Sequence, residues 1–324
     1  MKASVWKPNR ARLAVVLVTG VLASACALTG DSAGGERAQA RPSVAYKYAQ
    51  VEGRKIFYRE AGRRSDPTIV LLHGFPSSSH MYRELIPLLA DRFHVVAPDY
   101  IGFGHSDAPP ATEFRYTFDN LAKAMVGFLN ELELREYLLY MQDFGGPVGF
   151  RVATAHPERV KGLVIQNANA YAEGLSDAAR GFLYPLWKER NEKTLAAFRN
   201  LIALDGTRFQ YQAGTRNPEG LNPDAWVFDQ ALLDRPGSAE RQLALFIDYE
   251  NNVALYDDWQ AYLRKYQPKT LVVWGKGDPF FTVAGAEAYR RDLKNVEVHL
   301  LNTGHFALEE DAPQIAHLIK RTFN

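Results

Sequence analysis

Short apolar runs, each closing on loop residues and most followed by a helical stretch, constrain this chain more than any other feature. The runs are Thr68–Leu72, Phe93–Ala97, Tyr137–Met141, Leu163–Gln166, Thr270–Trp274 and Val296–Leu301. Helical patterns lie between most of them, over Ser78–Ala90, Phe118–Leu132 and Pro147–His156. Parallel strands read as continuous apolar runs because helices cover both faces of their sheet. The pattern therefore predicts an α/β fold with a mostly parallel central sheet flanked by helices. Tyr46–Val51 and Lys55–Glu60 flank the turn signal Glu52-Gly53-Arg54, which adds an opening hairpin.

Between Gln166 and Thr270 the rhythm stops. Amphipathic helical pattern rich in aromatics fills the interval. It predicts a helical cap over 171–262, inserted into a sheet domain made of 44–170 and 263–324. Most of these aromatics are expected to pack cap helices together.

The chain begins differently. Lys2, Lys7, Arg10 and Arg12 precede the apolar run Leu13 to Leu22, and Ala23-Ser24-Ala25-Cys26 follows. A basic region, a short apolar region and small residues make a secretory signal over 1–25. The apolar run is too short to span a membrane. Cys26 is the only cysteine of the 324 residues. Its place after small residues makes it a lipidation candidate, as in bacterial lipoprotein signals. Leu22 stands four residues before it, where such signals usually have Leu at three, so ordinary cleavage with Cys26 incidental is the alternative. Residues 26–43 are rich in Ala, Gly and Ser and read as a flexible tether. The expected location is the periplasm or cell surface, with lipid on Cys26 as the only membrane attachment.

Composition then excludes several classes. One cysteine rules out a disulfide framework and a zinc site of several thiolates. Lys+Arg 38 against Asp+Glu 37 rules out a chain dominated by a basic nucleic-acid surface. No His-x3-His pair, acidic cluster or dinucleotide-type glycine loop calls for a metal or organic cofactor, so none is expected. Oligomeric state is not legible.

Ligands of such sheets bind beyond the carboxyl ends of the strands. Those positions carry His73-Gly74-Phe75-Pro76, Gly102-Phe103-Gly104-His105-Ser106-Asp107, Gln142-Asp143-Phe144-Gly145-Gly146, Gly277-Asp278 and Gly304-His305-Phe306. Asp143, Asp278 and His305 thus occur in the order acid, acid, histidine. Asp143 sits where a sharp strand-to-helix turn would expose a nucleophile. The serine counterpart of that turn is Gly-x-Ser-x-Gly, which this chain lacks. Ser106 ends a loop and reads as a turn cap. His73 reads as a brace for its loop.

A carboxylate nucleophile narrows the reaction. Its attack on an ordinary ester would give an anhydride, whereas attack on an sp3 carbon bearing a leaving group gives an alkyl ester. Epoxide and carbon–halogen carbons are the plausible electrophiles. His305 would take the proton of the water that hydrolyses the ester, and Asp278 would orient the ring. Backbone N–H groups of Phe75 and Phe144 would hold the oxyanion.

On these motifs, over about 44–324, the sequence resembles the α/β-hydrolase fold. It is most similar to the branch of soluble epoxide hydrolases and haloalkane dehalogenases. The resemblance implies a small apolar epoxide or organohalide substrate. Haloalkane dehalogenases place Trp after the nucleophile and Asn or Glu after His-Gly; here Phe144 and Phe75 carry no side-chain donor. Fluoroacetate dehalogenases place Arg after the nucleophile, which Phe144 again does not match. Epoxide hydrolases match His-Gly-Phe-Pro, although they too commonly have Trp after the nucleophile. They use two cap tyrosines as proton donors, and by spacing these fall on Tyr184 and Tyr249, with Tyr256 in reserve. The expected activity is hydrolysis of an epoxide to a vicinal diol. A dehalogenase with an atypical halide site and a non-catalytic ligand-binding protein are the alternatives.

Overall fold

The computed structural model describes residues 43–323. The expected signal, Cys26 and all but the last residue of the tether lie outside the described residues. Among the described residues there are eight strands: β1 Ala45–Val51, β2 Arg54–Ala61, β3 Thr68–Leu72, β4 His94–Pro98, β5 Tyr137–Gln142, β6 Val160–Gln166, β7 Thr270–Gly275 and β8 Val296–Leu301. They form one sheet in the order β1-β2-β4-β3-β5-β6-β7-β8. β1 and β2 pair antiparallel, as do β2 and β4, and every pairing from β3 through β8 is parallel. The fold is the α/β sheet that the apolar runs predict.

Each central strand divides its side chains between two cores, because successive residues point to opposite faces. Val70, Leu72, Leu139, Met141 and Ile165 join one apolar cluster, which includes buried residues of α2 (Phe118–Glu131) and α3 (Gly145–Ala155). Ile69, Leu71, Leu138, Tyr140 and Val164 join the other, beneath α1 (Leu85–Leu89) and α11 (Leu308–Thr322). Burying each such aliphatic side chain stabilises the fold by roughly 1.5–3 kcal/mol, so the sheet anchors the whole domain.

Ser78–Ala90 is not one helix. A short 3-10 turn at Ser79–Tyr82 precedes α1. Pro87 explains the break: inside a continuous helix its ring would clash with the carbonyl of residue 83, and it has no N–H to donate there.

Six helices lie between β6 and β7. They are α4 Asp177–Lys188, α5 Glu192–Ile202, α6 Leu204–Gln212, α7 Asp224–Leu233, α8 Ser238–Ala254 and α9 Tyr256–Tyr266. Trp259 of α9 stacks on Phe150 of α3 at 5.1 Å, so α9 packs against the sheet's own helices. α10 (Val283–Asp292) follows β7. Among the described residues no helix is long and apolar enough to cross a membrane.

Candidate active site

Asp143 follows β5 directly and turns the chain into α3 with a φ of 48°. This left-handed conformation is uncommon for a residue with a Cβ, and Asp tolerates it better than most. The turn needs Gly145 behind it, where a Cβ would come within 2.1 Å of the Leu72 carbonyl oxygen. The Asp143 N–H donates to the Asn167 carbonyl at 3.2 Å. The result is a carboxylate aimed into the space beyond the sheet.

Its two oxygens have different neighbours. Oδ1 accepts from the Phe75 N–H at 2.7 Å, and the Phe144 N–H also bonds the carboxylate. Oδ2 stands 3.8 Å from His305 Nε2. Burial raises the Asp143 pKa above its ordinary value, while the His305 charge and the two N–H groups pull it down without cancelling that rise.

His305 is 1% exposed. Its Nδ1 stands 2.7 Å from Asp278 Oδ2. The other Asp278 oxygen accepts from the N–H groups of Phe280 at 2.7 Å and Phe281 at 3.2 Å. Burial lowers the His305 pKa, but the Asp278 charge and hydrogen bond and the Asp143 charge outweigh it, so the net direction is upward. Asp143, His305 and Asp278, expected at three strand ends, are thus brought into one line.

A cavity of about 330 Å³ opens over Asp143. Phe75, Phe144 and His305 form its floor, while Phe182, Phe246 and Tyr249 come from the helices above. Tyr249 is buried and its hydroxyl lies beside that of Tyr256. Tyr256 in turn accepts from Asn169 Nδ2 at 3.1 Å.

The structure does not bring Tyr184 to this cavity. It is 44% exposed, with its ring against Trp187 at 5.1 Å. α4 turns Ala179, Phe182 and Leu183 toward the cavity. At about 100° per residue, position 184 lies about 200° around the helix from Phe182. The pair of expected cap donors is therefore reduced to Tyr249, with Tyr256 behind it.

His73 is fully buried and its pKa is lowered to about 4 by burial, so the ring is neutral. Nδ1 lies 3.2 Å from the Gly74 carbonyl, and Nε2 accepts from the Tyr100 N–H at 3.2 Å. Ser106 Oγ donates to the Asp99 carbonyl at 2.7 Å and accepts from the Phe57 N–H. Both are tied to backbone.

Sequence reading missed Asn167. It follows β6 with a φ of 43°, and its Nδ2 donates to Asp278 Oδ2 at 2.8 Å. Its carbonyl also holds the Asp143 N–H, so one buried residue links nucleophile turn and acid. Inspecting the residue after Gln166, as at the other strand ends, would have found it.

The α/β-hydrolase fold family matches residues 67–312. The chain belongs to this family. It is 43% identical to an uncharacterized hydrolase of Saccharomyces cerevisiae, over 86% of this chain and 96% of that protein. It is 30% identical to a haloalkane dehalogenase of Mycobacterium marinum, over 82% of this chain and 87% of that enzyme. Among solved structures, the epoxide hydrolase CorEH superposes with a TM-score of 0.71 at 20% identity, covering 87% of this chain and 99% of that one. The haloalkane dehalogenase belongs to the branch that the strand-end motifs indicate, and the likeness to CorEH shows a shared fold.

Proposed function

We propose that this chain hydrolyses epoxides to vicinal diols through an alkyl ester of Asp143. The observation that carries the reading is the split environment of the Asp143 carboxylate. Oδ1 is held by the Phe75 N–H, the Phe144 N–H also bonds the carboxylate, and Oδ2 is free to attack. Attack on an epoxide carbon forms the Oδ2–carbon bond and breaks the ring carbon–oxygen bond. Tyr249 donates its proton to the leaving alkoxide, which needs one far more than a halide does. Water then adds to the ester carbonyl carbon while its proton passes to His305 Nε2. The oxyanion forms on Oδ1, against Phe75 and Phe144. Collapse releases the diol with the proton from the imidazolium and leaves Asp143 as the acid, whose remaining proton returns through solvent to the Tyr249 phenolate. Asp278 keeps the ring oriented and stabilises its cation.

Phe144 and Phe75 favour the epoxide over the halide. Neither side chain has the N–H that a departing halide would use, whereas Tyr249 offers an O–H. The Mycobacterium marinum relative is the ground for a second reading, dehalogenation with an atypical halide site.

A single turnover in 18O-water tests the mechanism. Label should enter the Asp143 carboxyl and the first diol formed should be unlabelled. Label in that diol would refute the ester. A side-by-side panel of epoxides and haloalkanes separates the two substrate readings. For the N-terminal segment we propose export, with lipid on Cys26. A mature protein retaining residues 1–25 would refute export, and a Cys26 that takes no lipid label would refute the anchor.

A further inference from the structure

We propose that Gln142 is a positioning residue for His305. It holds ring nitrogen Nε2 in both protonation states, and so governs hydrolysis of the Asp143 ester rather than its formation. The inference rests on the reading of Asp143 as nucleophile.

Gln142 closes β5 directly before Asp143 and is 0% exposed. Its Nε2 lies 3.0 Å from His305 Nε2. A carboxylate only accepts, so His305 Nδ1 carries the hydrogen shared with Asp278, and Nε2 of the neutral ring is the acceptor. The Gln142 amide therefore donates into the one lone pair that must take the proton from the attacking water. Its Oε1 is buried and without a partner. That oxygen rests against Gly74, where a Cβ would come within 2.2 Å of it.

Protonation reverses the preference. With a hydrogen on Nε2, two N–H groups face each other at 3.0 Å. Rotating the amide by half a turn presents Oε1 to the imidazolium instead, and the orphaned oxygen gains a charge-assisted bond. Gln166, the register partner of Gln142 on β6, shows the contrast. Its Nε2 donates to the His305 carbonyl at 3.3 Å and its Oε1 accepts from the Tyr140 hydroxyl. One glutamine, satisfied at both ends, fixes the His305 backbone. The other, satisfied at one end, meets the ring nitrogen whose proton comes and goes.

The test is quenched single turnover with an epoxide, read by mass of the Asp143 ester. Gln142→Leu keeps the volume and removes donor and acceptor. Ester formation should stay within about 3-fold of wild type while its hydrolysis slows about 10- to 100-fold. Gln142→Glu places a carboxylate on the imidazolium, so the rise of the hydrolysis rate with pH should move upward by about one unit or more. In the wild-type chain, the Gln142 side-chain amide resonance should titrate in step with His305. Wild-type hydrolysis rates and pH profile in both variants would overturn the proposal. So would equal slowing of both steps in Gln142→Leu, which marks a merely structural role, or an amide resonance that ignores pH. Failure of the underlying reading looks different: the wild-type chain itself would form no ester.

Discussion

Asp229→Asn should remove a loss of stability that the wild-type chain suffers as pH rises from 3.8 to about 7. Asp229 lies on α7, fully buried. It accepts from the Tyr211 hydroxyl of α6 at 2.5 Å and the Ser77 hydroxyl at 3.3 Å. Burial raises its pKa to about 7, against the opposing pull of those two hydroxyls, with Glu309 raising it further and Arg83 lowering it. The folded state therefore binds this proton more tightly than the unfolded chain, where the value is the ordinary 3.8. The contribution is fully present below 3.8 and is lost as pH climbs through about 7. At ~1.4 kcal/mol per pH unit, the whole loss is up to about 4 kcal/mol. Asn is isosteric with the neutral acid and cannot ionise. Urea unfolding of both proteins at intervals from pH 4 to 8 gives the stability gap between them, in which all other titrating groups cancel. The gap should swing in favour of Asn by about 2–4 kcal/mol over that range. Parallel curves, with a gap constant to within about 1 kcal/mol, would refute an uncharged Asp229 in the folded chain.

Three further outcomes are expected. Tyr249→Phe should cut epoxide ester formation by about 100-fold while leaving ester hydrolysis unchanged, and Tyr184→Phe should alter neither in rapid-quench measurements. Phe144→Trp should raise haloalkane turnover by introducing an indole N–H. It should also lower stability by about 1–3 kcal/mol, because Phe75, Phe118 and Phe246 already pack on that ring. Esterification removes the Asp143 charge that helps raise the His305 pKa. The ester-hydrolysis rate should therefore rise with pH around a lower value than the one at which His305 titrates in the resting enzyme by NMR.

Much of the candidate site's geometry was legible because strand ends are. A buried parallel strand is a continuous apolar run, and whatever follows it must face the same end of the sheet. Asp143, Asp278 and His305 needed only that rule. Phase within the cap was not legible. Counting residues from Asp143 found α4 but could not say which way Tyr184 points, since two positions along a helix reverse its direction. Buried polar roles were also hidden. Gln142, Asn167 and Asp229 matter through partners far away in sequence, and a carboxylate in a helical stretch ordinarily reads as a solvated face. Pro87 was in plain view, and its clash with a continuous Ser78–Ala90 helix follows from the proline ring alone.

The division of labour between core and cap bears on why the leaving group, rather than the nucleophile, distinguishes chemistries on this scaffold. Phe75 and Phe144 spend their backbone N–H groups on the Asp143 carboxylate and present only rings to the cavity. In the proposed mechanism His305 and Asp278 serve the second step. The floor therefore offers a departing oxygen no hydroxyl, and in the proposed reaction the proton comes from above. Tyr249 is not carried on a loose lid. Its neighbour Asp248 accepts from the Phe118 N–H at the start of α2 at 2.8 Å. Phe118 packs edge-on against Phe144 at 4.9 Å, and Phe144 faces Tyr249 at 6.1 Å. Donor and nucleophile turn are thus held to the same core helix through a short chain of contacts. A halide needs only oriented dipoles, which one indole at position 144 could supply from the floor. An alkoxide needs a proton donor held near Asp143, and in the proposed mechanism Tyr249 on α8 supplies it.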